Sequence, residues 1–317
     1  MKIFYYRRQD GQPNFGDELN TWLWPQLLPD FFDNDETTQF IGTGTLLNHR
    51  LPERTADAQR LIIFSSGAGY ERALDNIPDH WHIACVRGPL SARRLKLPRQ
   101  KAITDGGMLV RRCFTPAGDK SSAYAFMPHI HHANFADDAW KTLCREAGIG
   151  YIDPRWSIEK ILESIAKTEV LLAEAMHGAI VADALRTAWI PVITSGRILS
   201  FKWQDWCASI EVPYRPWRLL PLSEYPKYAR GVRSLLQTGW LWTKNTQQTL
   251  IHQPTKLFSE SGVENLMSLK KYGQPVLSRD STLDRVTTQL EEALNSLRSY
   301  KKNTMDDGMT EIKTVTN

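Results

Sequence analysis

The sequence predicts an α/β protein made of two Rossmann-like domains followed by a C-terminal helical extension. Three observations predict this class. Short apolar runs of strand type alternate with helix-like segments up to about residue 201, as in parallel sheets covered by helices. A small, polar, turn-rich segment at 115–122 divides the alternation into two series. Beyond it, the pattern weakens into isolated helix-like stretches.

The first series predicts one sheet. Strands are expected at 2–6, 61–65, 82–86 and 102–104, with helices at 17–28 and 89–97. Pro25 bends or shortens the first helix and Pro29 stops it, because proline lacks the N–H that continues a helix.

The second series predicts a second sheet. Strands are expected at 123–127, 149–152, 169–173 and 191–194, with helices at 137–147, 157–167 and 177–188. Helices at 228–238 and 281–301 and a polar, frayed tail follow. The predicted domains are therefore 1–118, 119–225 and 226–317. Facing strand ends would form a cleft, the usual ligand site of open α/β sheets.

Composition narrows the function. The 317 residues can build two cores, and 39 basic against 35 acidic residues give a net charge of +4. This slight excess of positive charge favours an anionic substrate. It does not suggest a nucleic-acid partner, because proteins that bind nucleic acid normally show a clustered basic face. Four widely spaced cysteines without a CxxC pair predict reduced thiols. Neither a signal peptide nor an 18-residue apolar run is evident. We expect a cytoplasmic protein, with peripheral attachment to the inner face of the membrane left open.

Two motifs of the first series place polar residues at strand ends. In Asn14-Phe15-Gly16-Asp17, Gly16 allows close backbone approach to a ligand and Asp17 suits a helix N-cap. A plain capping turn explains this pattern equally well, and no P-loop or GxGxxG fingerprint follows the strand.

Arg87 ends a strand beside a helix that begins at Pro89, a setting that suits a phosphate or carboxylate ligand. It could instead be a structural arginine paired with Asp105, which itself is either a cleft carboxylate or a turn former.

The run from Glu174 to Leu185 is the most informative. An apolar strand stops, His177 follows, and a helix of small residues begins at Gly178. A histidine at a helix N-terminus can bind an anion and titrates near neutral pH. This placement favours a functional role over a core histidine, and Glu174 could pair with Arg87 or steer substrate hydroxyls.

Aromatic and basic residues follow the strand at 191–194. Lys202 offers a movable cation, Trp203 and Trp206 offer aromatic faces, and Asp205 lies between them. Packing explains at least one of these tryptophans. His129 is expected to contact the cleft, just after another strand. We predict no metal site, because no carboxylate or cysteine near His129 in the sequence completes a ligand set.

Five runs together resemble the polysaccharide pyruvyl transferase family, especially its members acting on exopolysaccharides such as succinoglycan. They are NFGDELN at 14–20, RGPLSARRL at 87–95, TDGG at 104–107, AEAMHGAIVADALR at 173–186 and FKWQDW at 201–206. The resemblance covers residues 1–220 and implies a glycosyltransferase-B-like fold. It also implies formation of a pyruvate ketal on a sugar, with phosphoenolpyruvate as donor and no cofactor. Many members carry Arg-Leu-His-Gly where this chain has Ala175-Met176-His177-Gly178, so one expected donor-site arginine is missing.

This chemistry suggests roles for the candidate residues. Arg87 and Lys202 would clamp the anionic donor, and His177 would be the general acid or a phosphate ligand. Asp17 or Asp105 would serve the acceptor hydroxyls, with Glu174 assisting. The remaining predicted substrate contacts are Asn14, Gly16, His129, Gly178, Trp203 and Asp205. The acceptor is a saccharide, free or lipid-linked, and membrane-bound polysaccharide assembly enzymes are expected partners.

Two other classes fit the same architecture. One is a glycosyltransferase that uses a nucleotide sugar. The other is a non-catalytic polysaccharide-binding member of the family. A binding assay that compares phosphoenolpyruvate with nucleotide sugars distinguishes the glycosyltransferase from the pyruvyl transferase. Observed turnover would exclude the non-catalytic member.

Overall fold

Two parallel sheets follow one another along the chain. The computed structural model describes residues 1–194, 198–219 and 255–314, excluding the side chains of 135, 255–260 and 300–314. The first sheet has four strands and the second has five, and all their pairings are parallel. The predicted α/β class is confirmed, and the parallel sheets with their helices are compatible with the predicted Rossmann-like layout.

The first sheet has the order β1-β2-β3-β4. Its strands are β1 Lys2–Phe4, β2 Thr38–Ile41, β3 Arg60–Phe64 and β4 Trp81–Cys85. The accompanying helices are α1 Phe15–Leu27, α2 Leu51–Arg54, α3 Pro89–Arg94 and α4 Val110–Cys113, with 3₁₀ turns at Arg99–Lys101 and Gly106–Leu109. β3 is buried from Leu61 to Phe64, as expected for a strand covered on both faces.

One strand of this sheet was not predicted, and one predicted strand is wrong. β2 was not predicted, because its four residues include only two apolar ones, Phe40 and Ile41. The predicted strand at 102–104 is a single bridge between Val86 and Ala102. Ala102 closes the preceding 3₁₀ turn, so too few residues remain before Asp105 to extend a strand.

The second sheet has the order β6-β5-β7-β8-β9. Its strands are β5 Ser122–Met127, β6 Gly150–Tyr151, β7 Thr168–Ala173, β8 Ala188–Ile193 and β9 Trp217–Arg218. The helices are α5 Ile130–Glu146, α6 Ile158–Ala166, α7 Met176–Ala184 and α8 Ser200–Ser209. All four strands predicted here are present, and β9 is additional. α5 begins seven residues before the predicted helix and continues across a kink at Ala136 (φ −136°).

One apolar core joins the two halves. Leu19 and Leu23 of α1, Ile180 of α7 and Met108 of the 3₁₀ turn belong to the same buried cluster. Helices α1 and α7 and this turn pack against one another. The layer between the sheets therefore fixes the N-termini of α1 and α7 near each other.

The C-terminal segment packs on both halves. It contains α9 Thr255–Tyr272 and α10 Asp280–Thr314. α9 packs on α5, whereas α10 packs on β4 and the 106–109 turn. One face of α10 is buried, at Leu283, Val286, Leu290, Leu294 and Leu297, with the spacing of an amphipathic helix.

The C-terminal predictions have mixed outcomes. The predicted helix at 281–301 is confirmed, but it extends to Thr314, so the expected frayed tail is wrong over that range. α9 was not predicted, and the helix expected at 228–238 lies outside the described residues. None of the helices in the described part of the chain combines the length and apolar character needed to cross a bilayer.

Candidate active site between the two sheets

His177 and Gly16 bring two predicted motifs together. His177 lies in the first turn of α7, directly after β7, and Gly16 lies in the first turn of α1. A Cβ on Gly16 would come 2.0 Å from Nδ1 of His177. Phe15 N–H donates to the Pro154 carbonyl (2.9 Å), which ties the start of α1 to the second half. The predicted close approach at Gly16 is thus to the imidazole of His177.

Asp105 faces His177 from the first half. Its Oδ1 accepts from Gly107 N–H (3.0 Å). Its Oδ2 lies 3.8 Å from His177 Nε2, and both atoms are buried without a hydrogen-bond partner among the described residues. Burial raises the pKa of Asp105 to about 6. Burial, with the nearby charges of Lys202 and Arg87, lowers the pKa of His177 to about 3, so this imidazole is neutral at pH 7.

Lys202 places a positive charge near Asp105 and His177. It lies in the first turn of α8 with a residue exposure of only 8%. Its Nζ donates to the Tyr70 hydroxyl (3.0 Å). The ammonium opposes the burial-driven rise in the pKa of Asp17 and Asp105. Tyr70 lies in an irregular loop after β3, where no sequence pattern marked it as a site residue.

Asp17 is a second buried carboxyl group with a raised pKa, as Asp105 is. Burial raises the pKa of Asp17 to about 6, opposed by a hydrogen bond from Asn14 Nδ2 (2.7 Å). Asn14, not Asp17, is the N-cap of α1, and its carbonyl accepts from the N–H groups of Asp17 and Glu18. The N-cap prediction for Asp17 is therefore wrong. Arg8, which the sequence analysis missed, contributes a positive charge that lowers the pKa of Asp17.

Glu174 organises a third group of polar side chains. It is fully buried. Its Oε2 accepts from His132 Nδ1 (2.6 Å) and His129 N–H (3.0 Å), while its Oε1 accepts from the hydroxyl (2.6 Å) and N–H (3.0 Å) of Thr194. Burial would raise the pKa of Glu174, but His132 and these hydrogen bonds lower it overall. Glu174 therefore pairs with His132 and not with Arg87, the pairing that was one of its two predicted roles.

His129 begins α5 beside this group. Its side chain accepts from His131 N–H (3.4 Å) at the N-cap of the helix. Burial, followed by the charge of Lys202, lowers the pKa of His129 well below its usual value. The structure thus places His129 close enough to Lys202 for the two side chains to interact electrostatically.

Arg87 lies inside the protein. It is fully buried, and each guanidinium nitrogen donates to an internal acceptor. These acceptors are Asp205 Oδ2, the Gly44 and Ala68 carbonyls and the Thr45 hydroxyl. Asp205 also accepts from the N–H groups of Leu90 and Ser91, which anchors α3 to α8. The two predicted ligand contacts form a buried ion pair (3.0 Å) instead.

Trp203 and Gly178 also occupy packing positions. Trp203 is fully buried and stacks on Tyr214, with ring centroids 5.5 Å apart, and Trp206 and Trp189 lie around it. A Cβ on Gly178 would come 2.6 Å from Met127 Sδ. The structure therefore does not bring either residue to the cleft surface as the sequence predicted.

The groups that do converge define the chemistry of the site. A nearly buried ammonium, a neutral imidazole and two carboxyl groups with raised pKa values surround one region at the strand ends. Two buried hydroxyls without partners among the described residues, Thr43 Oγ1 after β2 and Ser65 Oγ after β3, lie along the same edge of the first sheet. Such a site can bind an anion and exchange protons near neutral pH. Within the described ranges, no three His, Cys, Asp or Glu side chains are gathered as metal ligands would be.

The molecule is thus an α/β protein with two parallel sheets, and basic, imidazole and carboxyl side chains converge at the carboxyl ends of their strands. No family model matches the chain. It is 39% identical over 225 residues to the succinoglycan biosynthesis protein ExoV of Rhizobium meliloti (strain 1021), across 70% of this chain and 69% of that relative. The chain belongs to the polysaccharide pyruvyl transferase family.

Proposed function

We propose that this protein forms a pyruvate ketal on a sugar of a bacterial exopolysaccharide, or on its lipid-linked precursor, with phosphoenolpyruvate as donor. The observation that carries the proposal is the position of Lys202. Its nearly buried ammonium acts on His177, His129, Asp17 and Asp105 together. An anion with groups to protonate fits this arrangement, and the relative's role in succinoglycan biosynthesis supports a saccharide acceptor.

Lys202 and His177 are assigned to the donor. An ammonium held by the Tyr70 hydroxyl can pair with the phosphate or carboxylate of phosphoenolpyruvate. The buried Nε2 of His177 has no protein partner among the described residues, so a ligand oxygen can satisfy it. Because the pKa of His177 is about 3, we assign it as a phosphate ligand and not as the acid. Arg8 supplies a second cation near Asp17, although Ala175 replaces the arginine that the family resemblance implies.

Asp105 is assigned as the general acid. Ketal formation begins when a proton is added to the methylene carbon of the donor, which leaves C2 electron-deficient. A carboxyl group with a pKa of about 6 can be protonated and recharged near neutral pH. One sugar hydroxyl then forms a C–O bond at C2. Attack by the second hydroxyl breaks the bond between C2 and the phosphate oxygen. Of the two hydroxyl protons, one restores Asp105 and the other leaves with phosphate.

The overall arrangement is part of the proposal. Two parallel sheets whose carboxyl ends carry the site support a glycosyltransferase-B-like pair of domains. A cytoplasmic location, next to membrane-bound assembly enzymes, would give the protein both its phosphorylated donor and a lipid-linked acceptor.

The test is turnover with a defined donor. The purified protein is incubated with phosphoenolpyruvate and a panel of lipid-linked oligosaccharides, and phosphate release and product mass are followed. We expect phosphate and ketal in equal amounts. Lys202→Met should abolish phosphoenolpyruvate binding in calorimetry, whereas Lys271→Met, at an exposed position at the end of α9, should not. Turnover with nucleotide sugars alone would assign glycosyl transfer instead, and saccharide binding without turnover would assign a binding role.

A further inference from the structure

We infer that His132 is the base that deprotonates the acceptor hydroxyl, and that Glu174 positions it. The inference deepens the proposed function and rests on it. The ketal reaction must remove protons from two sugar hydroxyls while another group protonates the donor. Asp105 protonates the donor and takes back only one of the two hydroxyl protons, which leaves the other deprotonation without an assigned base.

The His132–Glu174 pair has the geometry of an oriented base. Nδ1 of His132 lies 2.6 Å from Glu174 Oε2 and 3.1 Å from the Thr194 hydroxyl. Glu174 is fixed in turn by the Thr194 and His129 N–H groups. A carboxylate held this way accepts the Nδ1 proton, so the lone pair of the neutral imidazole lies on Nε2. Among the described residues, no hydrogen bond to Nε2 is found.

The position of His132 agrees with this role. It lies in the first turn of α5, at the carboxyl end of β5, and its ring centroid is 6.4 Å from that of His129. His129 and His177 are weak bases, because burial lowers the pKa of both. The His132 side chain is 13% exposed, whereas Glu174 is wholly covered. A substrate can therefore meet the imidazole without displacing the carboxylate.

The proposed step moves one proton. The O–H bond of the sugar hydroxyl breaks as its oxygen forms a bond to C2 of the protonated donor. The proton passes to Nε2 of His132. Glu174 stabilises the imidazolium formed, as an aspartate does for the histidine of a serine protease. The imidazolium then gives the proton to the departing phosphate, which returns the base to its starting state.

The first test replaces only the reactive nitrogen. In His132→Asn the amide nitrogen can still donate to Glu174, but Nε2 is gone. We expect kcat to fall by about a hundred- to ten-thousand-fold, while the Kd for phosphoenolpyruvate stays at the wild-type value. The matched control is His131→Asn, at an exposed position one residue earlier in the same helix, which should keep wild-type kcat.

The second test concerns Glu174 as a positioning residue. In the wild type, the ¹⁵N signals of the imidazole should report a proton on Nδ1 of His132. Glu174→Gln offers an amide N–H to that nitrogen, so the proton should move to Nε2. We expect kcat to fall and the donor Kd to stay constant. A purely structural role for Glu174 would change stability and leave the tautomer unchanged.

The outcomes separate this inference from the proposed function. If wild-type protein forms the ketal and folded His132→Asn retains kcat within about tenfold, below the usual effect of losing a general base, the inference is wrong and the function stands. An unchanged tautomer in Glu174→Gln also contradicts it. If the wild-type protein neither binds phosphoenolpyruvate nor forms a ketal, the proposed function fails and this inference fails with it.

Discussion

Arg87→Met separates a structural role of this arginine from a ligand role. The substitution keeps an unbranched apolar stem and removes the guanidinium. It leaves Asp205 buried without its cation, and the carbonyls of Gly44 and Ala68 lose their donors. Removing one partner of a buried ion pair costs about 3–5 kcal/mol. We therefore expect the free energy of unfolding to fall by about 4 kcal/mol.

The assay combines stability with donor binding. Urea unfolding is followed by the fluorescence of the eleven tryptophans, and the phosphoenolpyruvate Kd is measured by calorimetry where the variant is folded. Arg93→Met, at an exposed position on the same helix, is the control and should change stability by no more than about 0.5 kcal/mol. Stability within about 1 kcal/mol of wild type, a typical point-mutant effect, together with lost donor binding would refute the buried-pair account.

Four further outcomes follow from the site. His177→Ala should weaken phosphoenolpyruvate binding and leave the pH profile of residual activity between pH 5 and 8 unchanged, because the pKa of His177 is about 3; a shifted profile would restore it as the acid. Gly16→Ala should lower donor affinity, since its Cβ would overlap the His177 ring, and wild-type affinity would contradict this contact. The raised pKa of Asp105 stabilises the wild-type protein fully only below pH 3.8, and this stabilisation is lost as the pH rises to about 6. Asp105→Asn lacks this loss, so its free energy of unfolding should increase relative to that of wild type over the same pH range. Urea unfolding curves without this pH trend would contradict the raised pKa of Asp105. Cys113, half-buried, should react with a thiol reagent before the buried Cys85, Cys144 and Cys207.

Local patterns predicted the strand ends but not the partners of the residues found there. The apolar runs around β4, β5 and β7 were sufficient to place Arg87, His129 and Glu174 after strands. Arg87 pairs with Asp205, 118 positions away, and Glu174 pairs with His132, 42 positions away. Spacing along the chain carries no information on such pairings, because they depend on how the helices cross.

The direction in which side chains point was the other feature that the sequence could not predict. Trp203 and Lys202 are neighbours in α8, yet Trp203 is buried among aromatic rings and the ammonium of Lys202 lies beside Tyr70. The sequence supports either residue as a ligand contact, and only the packing of α8 decides between them. The four cysteines illustrate the opposite case, because wide spacing predicted free thiols and the structure confirms them.

The C-terminal segment acts as a cross-brace between the sheets. At its start, Ser278 and Asp280 bind Asp183 and Arg186 of the second half. Further along, Asp284 and Glu291 of α10 pair with Arg111 and Arg112 of the first half. Hinged closure of one sheet on the other would have to break these contacts. In the proposed function, the donor would instead be enclosed by the irregular segments at 5–14 and 65–80, which contain Arg8 and Tyr70.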